Sequence, residues 1–158
     1  MKITYRPEIP DDASFLRTLI IETLAEQLAA WSWPEYMRET LLETQYQVQR
    51  QGFRGSGDVS AIVLDDDTPV GWYVTAESAD AIRLINIMVL ARHRGRGIGS
   101  TVLSMLLAAA EAARKPLQLS VVTHNERALR LYERLGFQRI DGDEVHHILE
   151  HPPGGSDA

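Results

Sequence analysis

The sequence predicts a single mixed α/β domain in which a central sheet is flanked by helices. The chain has 158 residues, of which 44 % are hydrophobic, and this suits one soluble domain with one sizeable core. Short apolar segments bounded by turn residues alternate with longer segments whose apolar residues recur every three or four positions. No internal repeat or linker interrupts this alternation. The predicted order is therefore β-α-α-β-β-β-α-β-α-β-β.

Seven short segments have the apolar and β-branched character of strands. The fourth is apolar along most of its length, which is typical of a strand at the centre of a sheet. Three consecutive aspartates between the second and third segments predict a hairpin turn. The seven segments are residues 2–6, 59–64, 70–75, 81–90, 117–123, 137–140 and 145–149.

Four segments have helical periodicity. We expect Asp11 to cap the first, Pro34 to begin the second and a glycine-rich loop at 52–57 to follow it. The third should begin near Gly97, and the fourth should be capped by Asn125 and ended by Gly136. The helical stripe of the first helix comprises Phe15, Leu16, Leu19, Ile20, Leu24 and Leu28, and one face of the fourth carries Ala128, Leu131, Tyr132 and Leu135. The side chains expected to form the buried stripe of the third helix are Ile98, Val102, Met105, Leu106, Ala109 and Ala113.

Composition restricts the functional classes. The absence of cysteine excludes a disulfide scaffold, a thiol nucleophile and a cysteine-ligated metal site. No apolar run approaches the roughly 18 residues of a membrane helix, and the N-terminal residues lack the apolar core of a signal peptide. We therefore expect a cytoplasmic protein with no membrane partner. Its domain should occupy residues 1–151, and residues 152–158 should form a flexible tail.

The charge of the chain is unevenly distributed. The formal net charge is −6, which argues against general nucleic-acid binding. Residues 81–110 nevertheless contain four arginines and no acidic residue, so this segment is +4 and the remainder of the chain is −10. A cationic segment in an acidic protein favours a small anionic ligand.

The segment 92–100, with the sequence RHRGRGIGS, connects the predicted central strand to the third helix. Glycines allow close approach of a ligand to the backbone, and the first turn of a helix has unpaired N–H groups with partial positive charge. Cations at this end oppose the helix dipole, so the arginines indicate that an anion binds there. The spacing fits neither a P-loop nor a dinucleotide-binding fingerprint. The alternative interpretation is a tight turn with solvated arginines.

Two motifs resemble those of the GNAT superfamily of acyl-CoA-dependent N-acyltransferases. Arg94, Gly97 and Gly99 match its Arg/Gln-x-x-Gly-x-Gly/Ala signature, and the strand before it, INIMV at 85–89, resembles the fourth strand of that family. The second motif runs from Asn125 through Ala128, Leu131 and Tyr132 to Gly136 and Phe137. The resemblance covers about residues 2–150 and implies a mostly antiparallel mixed sheet whose central strands splay apart.

The resemblance also implies a site for acetyl-CoA. Backbone N–H groups of the glycine turn would bind the pyrophosphate, and the central strand would pair with the pantetheine arm. Asn125 would contact the pantetheine, Ala128 would leave room for it, Arg134 would lie near the nucleotide and Tyr132 would face the sulfur. The residues implied in cofactor binding are Ile87, Met88, Val89, Arg94, Gly95, Arg96, Gly97, Ile98, Gly99, Ser100, Asn125, Ala128, Tyr132 and Arg134.

The implied chemistry is direct transfer of an acyl group from the thioester to a primary amine of a small molecule or peptide. The amine must lose a proton, although an alkyl ammonium has an ordinary pKa near 10.4. The oxyanion needs a donor such as the N–H of Met88 or Val89. A phenol, here Tyr132, can protonate the leaving thiolate. Acyl transfer without an acyl-enzyme agrees with the absence of cysteine.

The sequence departs from the family in one respect. Many members have a carboxylate on the fourth strand that acts as the base, whereas Asn86 stands in that region here and could hold only a water. The remaining candidates for the base are Glu22, Glu26, Glu77, His124 and a chain of waters. A non-catalytic acyl-CoA-binding module on the same fold is therefore an alternative, and a nucleotide-binding protein is a third.

Two other groups of side chains attract attention. His146 and His147 would point to opposite faces of a strand, and with His151 they have no carboxylate cluster around them, so we expect no metal site. Trp31, Trp33 and Tyr36 lie between the first two helices, where they either pack in the core or line an acceptor pocket. The acceptor itself is not specified, although the acidic balance favours cationic amines. Homodimers are common in the family, and no residue pattern decides this.

Overall fold

The computed structural model describes residues 1–29, 32–52 and 58–154. Its strands are β1 (Ile3–Pro7), β2 (Asp58–Asp65), β3 (Thr68–Glu77), β4 (Ile82–Val89), β5 (Leu117–Val122), β6 (Gln138–Gly142) and β7 (His146–His151). Its helices are α1 (Ala13–Leu28), α2 (Glu35–Gly52), α3 (Ile98–Ala112) and α4 (Glu126–Arg134), with short 3-10 turns at Pro10–Asp12 and Ala91–His93. The strands form one sheet in the order β1-β2-β3-β4-β5-β7-β6. The predicted fold class, a mixed sheet flanked by helices, is confirmed.

Three features predicted from the sequence fall partly or wholly outside the described residues. They are Trp31, most of the glycine-rich loop at 52–57, and the end of the tail at 155–158. Gly52 itself is the last residue of α2. The described part of the tail is attached to the domain, because the N–H of Gly154 donates to the carboxylate of Glu111 at 2.6 Å.

One compact unit consists of residues 1–74 and 86–99. Within it β1 pairs antiparallel with β2, from Ile3 opposite Asp65 to Pro7 opposite Ala61. Leu16, Leu19, Ile20 and Leu24 of the predicted α1 stripe are buried and pack with Met88 of β4, which fixes α1 beside this strand. The other two residues of the stripe, Phe15 and Leu28, are half-buried. The buried members of this core are Leu16, Leu19, Ile20, Leu24, Tyr46, Ile62, Trp72, Val74, Met88 and Leu90.

The predicted cap of the first helix is wrong. A 3-10 turn at Pro10–Asp12 precedes α1, and Asp12 rather than Asp11 is the buried acid. Its carboxylate accepts from the N–H of Ile9 and from two guanidinium nitrogens of Arg6, all at 2.8 Å. These bonds, first of all those from Arg6, lower the pKa of Asp12. The sequence offered two adjacent aspartates, and Arg6 of β1, six residues before Asp12, selects the second.

The second compact unit consists of residues 75–85 and 100–158. Within it β5 pairs antiparallel with β7 from Leu117 opposite His151 to Val122 opposite His146, and β7 pairs with β6. The side chains of α3 buried in this unit are Val102, Leu103, Leu106 and Ala110. The predicted stripe is therefore wrong at Ala109 and Ala113, which are exposed. Alanine stretches predict a helix well but leave its buried face ambiguous.

The register of β4 bears on the site. Its parallel ladder with β5 comprises three pairs, from Ile82 opposite Leu117 to Leu84 opposite Leu119. β4 itself continues to Val89, beyond the end of this ladder. Its last residues therefore have main-chain groups that the ladder with β5 does not use.

Candidate active site

The chain turns sharply between β4 and α3. A 3-10 turn at Ala91–His93 is followed by Gly95 and Gly97, which have φ of +78° and +80°. These left-handed conformations favour glycine. A Cβ atom at Gly95, Gly97 or Gly99 would meet no other part of residues 1–29, 32–52 and 58–154 within 4 Å, so each of these positions faces open space there. Ile98, only 2 % exposed, anchors the start of α3. Exposed Arg96 and half-buried Ser100 complete the predicted cradle.

Arg94 is engaged in the free protein. Its Nη1 forms an ion pair with the carboxylate of Glu26 in α1, and its Nε donates to the carbonyl oxygen of Val89 at 3.0 Å. The sequence showed no acid near the arginine cluster, and the structure corrects this: the acid comes from a helix 68 residues earlier in the chain. The unopposed charge inferred for this segment is thus partly neutralised.

Glu22 makes a second connection from α1. Its Oε1 accepts from the N–H of Ala91 at 2.6 Å. Glu22 and Glu26 lie one turn apart on the same helix face, so together they hold the start of the glycine turn at two points. This spacing of two carboxylates was the signal in the sequence, although it did not identify their partners.

A cavity of about 370 Å³ lies where these elements meet. It brings together four residues that the resemblance assigns to the cofactor, Ile87, Met88, Val89 and Arg94. The wall contributed by α1 was not predicted as a cofactor site. It consists of Thr23, Glu26 and Gln27.

The two edges of β4 present different main-chain groups. The N–H of Leu90 donates to the carbonyl of Val70 in β3 at 2.9 Å, so Leu90 and Met88 direct their main-chain groups toward β3. Because this direction alternates along a strand, those of Ile87 and Val89 point to the opposite edge. The bond from Arg94 to the carbonyl of Val89 agrees with this assignment.

Asn86 lies on the face of β4 that α2 covers. Its Nδ2 donates to Oε1 of Gln49 at 3.0 Å, a contact that the sequence did not reveal. The amide of Asn86 is thereby oriented, since its nitrogen is committed to Gln49 and its oxygen is the group that can accept a further hydrogen bond.

In the second unit, α4 carries the other motif. Asn125 caps the helix as predicted, because its Oδ1 accepts from the N–H of Ala128 at 3.2 Å. Ala128 and Tyr132 are half-buried on one face of α4, whereas Arg134 is exposed in the last turn.

The end of α4 fixes the ring of Tyr132. Gly136 has φ of +96°, and the N–H of Phe137 donates to the carbonyl of Tyr132 at 3.0 Å, which is the bond of a Schellman motif. Phe137 then packs edge-on against Tyr132 with ring centroids 5.6 Å apart, and His151 packs in the same manner on Phe137. Burial raises the pKa of Tyr132, so its hydroxyl stays protonated at neutral pH.

The other candidates for a base are less well placed. The carboxylate of Glu77 pairs with Nζ of Lys115 at 2.6 Å, and His124 is exposed. Among the candidates in the described part of the chain, Glu26 is the one that lines the cavity at β4.

Trp33, just before α2, and Tyr36, in its first turn, are not core residues. Trp33 and Tyr36 are 39 % and 74 % exposed. They line a second cavity of about 400 Å³ on α2, which is largely apolar. The other residues of its wall are Met37, Thr40, Leu41 and Thr44.

The described part of the chain contains neither a cluster of metal ligands nor a membrane-spanning helix. In residues 1–29, 32–52 and 58–154, no three histidine, aspartate or glutamate side chains converge as metal ligands would. No helix in these ranges is both long and apolar enough to cross a bilayer.

Comparison with known proteins identifies the family. The model of the acetyltransferase (GNAT) family matches residues 25–137. PaiA N-acetyltransferase from Thermoplasma acidophilum, solved in complex with coenzyme A, superposes with a TM-score of 0.74 at 18 % identity over 96 % of this chain and 99 % of its own. The ribosomal-protein-S18-alanine N-acetyltransferase from Escherichia coli has a TM-score of 0.67 at 22 % identity over 96 % and 94 %.

A spermidine N-acetyltransferase chimera from Vibrio cholerae and hSSAT has a TM-score of 0.68 at 16 % identity over 99 % and 98 % of the two chains. No curated protein matches by sequence. At these identities the structures establish a common fold, whereas the family model covers most of the chain. The chain therefore belongs to the GNAT acetyltransferase family.

Proposed function

We propose that the protein transfers an acetyl group from acetyl-CoA to a primary amine by direct attack in a ternary complex. The main support is the cavity that unites Ile87, Met88 and Val89 of β4 with Arg94 of the glycine turn. A strand edge suited to a pantetheine arm and a turn suited to phosphates thus adjoin one another.

The phosphates of acetyl-CoA would bind at the turn that begins α3. Gly95, Gly97 and Gly99 leave open space there, and the N–H groups of the first helical turn carry partial positive charge. Arg96 adds an exposed cation beside them. This arrangement suits an anion with more than one negative charge.

The pantetheine arm would pair with the edge of β4 opposite β3. Ile87 and Val89 direct their main-chain groups to that edge, beyond the ladder that ends at Leu84. The same geometry favours the N–H of Val89 over that of Met88 as the donor to the oxyanion, because Met88 faces β3. Transition-state charge would then develop beside a fixed backbone donor.

Tyr132 would protonate the thiolate of CoA as it leaves. Its raised pKa keeps the phenol protonated, and the Schellman motif with Phe137 restricts its ring. A thiolate that develops against a phenol O–H gains a hydrogen bond first and a proton as CoA departs. Asn125, Ala128 and Arg134, on the same helix, remain proposed contacts of the cofactor.

We assign deprotonation of the amine to water. Asn86, oriented by Gln49, offers an amide oxygen that can hold such a water. Glu26 lines the cavity, but its carboxylate is paired with Arg94 in the free protein. The largely apolar cavity at Trp33 and Tyr36 is the proposed contact for the body of the acceptor.

Two measurements test the function. Binding of acetyl-CoA to the folded state should raise the melting temperature. At a concentration 100-fold above Kd, the free energy of unfolding should rise by about 2.7 kcal/mol. Release of CoA thiol should then be measured with spermidine, an aminoglycoside, a peptide with an N-terminal alanine and a lysine peptide. If CoA binds but none of the amines causes release of the CoA thiol from acetyl-CoA, the non-catalytic module is favoured. Tighter binding of ATP than of CoA would favour a nucleotide-binding protein.

A further inference from the structure

The contact between Glu26 and Arg94 places an acid of this chain on a residue that the signature assigns to the cofactor. Both side chains are partly exposed, Glu26 by 46 % and Arg94 by 39 %. Ion pairs this exposed contribute little stability and exchange partners readily. The contact therefore does not serve mainly to hold the fold together.

We propose that Glu26 couples the two substrates, an inference that rests on the proposed function. The carboxylate of Glu26 forms an ion pair with Arg94 and thereby competes with a phosphate for the guanidinium. Acetyl-CoA takes Arg94 over, and the released carboxylate then binds the ammonium group of the acceptor. No bond is made or broken in this exchange of ionic partners.

The first step follows from charge and geometry. Arg94 lies at the start of the glycine turn, where its Nε already donates to Val89 and its Nη1 to Glu26. A guanidinium binds phosphate through two parallel hydrogen bonds, and a phosphate with more negative charge than a carboxylate competes well for it. Departure of Arg94 from the carbonyl of Val89 also frees that edge of β4 for the pantetheine arm.

The second step follows from the lining of the cavity. Seven residues in the described part of the chain line it, and among these Glu26 is the one carboxylate and Arg94 the one cation. When Arg94 turns to a phosphate, the cavity at Ile87 and Met88 is left with a single negative charge. An ammonium group is the complement to that charge, and β4 has no carboxylate to offer it.

The coupling has a direct consequence for the order of binding. Acetyl-CoA should bind before the amine, because it releases the carboxylate that the amine needs. Since linkage between two ligands is reciprocal, a bound amine should in turn tighten the binding of acetyl-CoA. A cavity that is electrically balanced in the free protein would discriminate against cations until the cofactor is bound.

The test is Glu26→Gln in the full chain, with Glu43→Gln as the matched control. Glu43 forms a comparably exposed ion pair with Arg17, and it does not line the cavity at β4. Removal of the competing carboxylate should tighten CoA binding, measured by calorimetry, by about two- to fivefold. Pantetheine, which has no phosphate, should inhibit the acetylation reaction of Glu26→Gln as strongly as that of the wild type. The KM of the best amine in the panel should rise by at least about tenfold in Glu26→Gln. Neither the affinity for CoA nor the KM of the amine should change in Glu43→Gln.

Several results would overturn the coupling. One is equal or weaker binding of CoA by Glu26→Gln, and another is an unchanged KM for the amine. An equal gain for pantetheine, which has no phosphate for Arg94 to bind, would show that Glu26 does not act by competing with the phosphates for Arg94. If the wild type binds no CoA, or binds it and acetylates no amine, the proposed function itself fails and the coupling falls with it.

Discussion

A negative charge placed in the first turn of α3 should weaken the binding of CoA without harming the fold. Gly99 is the best position, because it lies inside α3 with no atom within 4 Å of an added Cβ and no positive φ. Gly97 faces equally open space, but at φ of +80° any side chain there would be strained. The informative pair of variants is Gly99→Glu and Gly99→Gln, which differ in charge and hardly in size.

The expected magnitude follows from Coulomb's law. A carboxylate about 6 Å from two phosphate charges, at an effective dielectric constant of about 40–80, opposes binding by about 1.4–3 kcal/mol. This corresponds to a loss of about 10- to 100-fold in CoA affinity for Gly99→Glu relative to Gly99→Gln. Glutamine and glutamate both have a better helix propensity than glycine, and glutamate also suits the helix dipole, so the melting temperature should be maintained or raised in both variants.

The assay is calorimetric titration with CoA at low and at high salt. The difference between the two variants should shrink as salt rises, because the repulsion is screened. Affinities equal to that of the wild type in both folded variants at low salt would refute the reasoning and place the phosphates elsewhere. Equally weakened binding in both would point to steric exclusion and leave the electrostatic account without support.

Three further substitutions test the remaining elements. Tyr132→Phe should lower turnover by about 10²- to 10⁴-fold with little change in CoA affinity if the hydroxyl protonates the thiolate, and near-normal turnover would remove it from the mechanism. Gly136→Ala, strained at φ of +96° with a new Cβ 3.1 Å from Nε2 of His151, should lower the free energy of unfolding by about 1–3 kcal/mol in urea titration. Asp12→Asn should destabilise by about 1–3 kcal/mol at neutral pH, because the negative charge and one of the two oxygens that accept from Arg6 are lost. Since the pKa of Asp12 is lowered in the folded state, its stabilisation is present above the ordinary aspartate value and fades as the pH falls below about 4, so the variant should show a shallower loss of stability in acid.

The parts of the fold that local chemistry dictates were predictable from the sequence. Asn125 as a cap, Gly136 as a left-handed stop and the glycine turn before α3 all depend on residues within a few positions of one another. The central place of β4 followed from its apolar run, although the strand is not buried along its whole length, since Ile85 is 38 % exposed. Such features need no knowledge of the tertiary structure.

The sequence could not reveal which polar side chains would pair. Arg6 selects Asp12 over its neighbour Asp11 across only six residues, whereas Gln49 of α2 orients Asn86 of β4 across 37 residues. Both pairings depend on the tertiary arrangement of the chain, which periodicity predicts only as a buried stripe. Which of two similar polar residues forms a hydrogen bond therefore depends on the partner that folding brings close to it.

The electrostatics of the candidate site illustrate this dependence most clearly. From the sequence, residues 81–110 carry four positive charges and no negative one, which predicts a cradle that waits for an anion. In the folded chain α1 brings Glu26 to Arg94 and Glu22 to the N–H of Ala91, so the protein satisfies part of that cradle itself. Under the proposed coupling, Arg94 would bind a phosphate by exchanging ionic partners, and Glu26 would then be free to bind the acceptor. β4 has no carboxylate, and in this proposal Glu26 of α1 takes its place. Because Glu26 pairs with Arg94, binding of the cofactor to Arg94 would determine when that carboxylate can bind the amine.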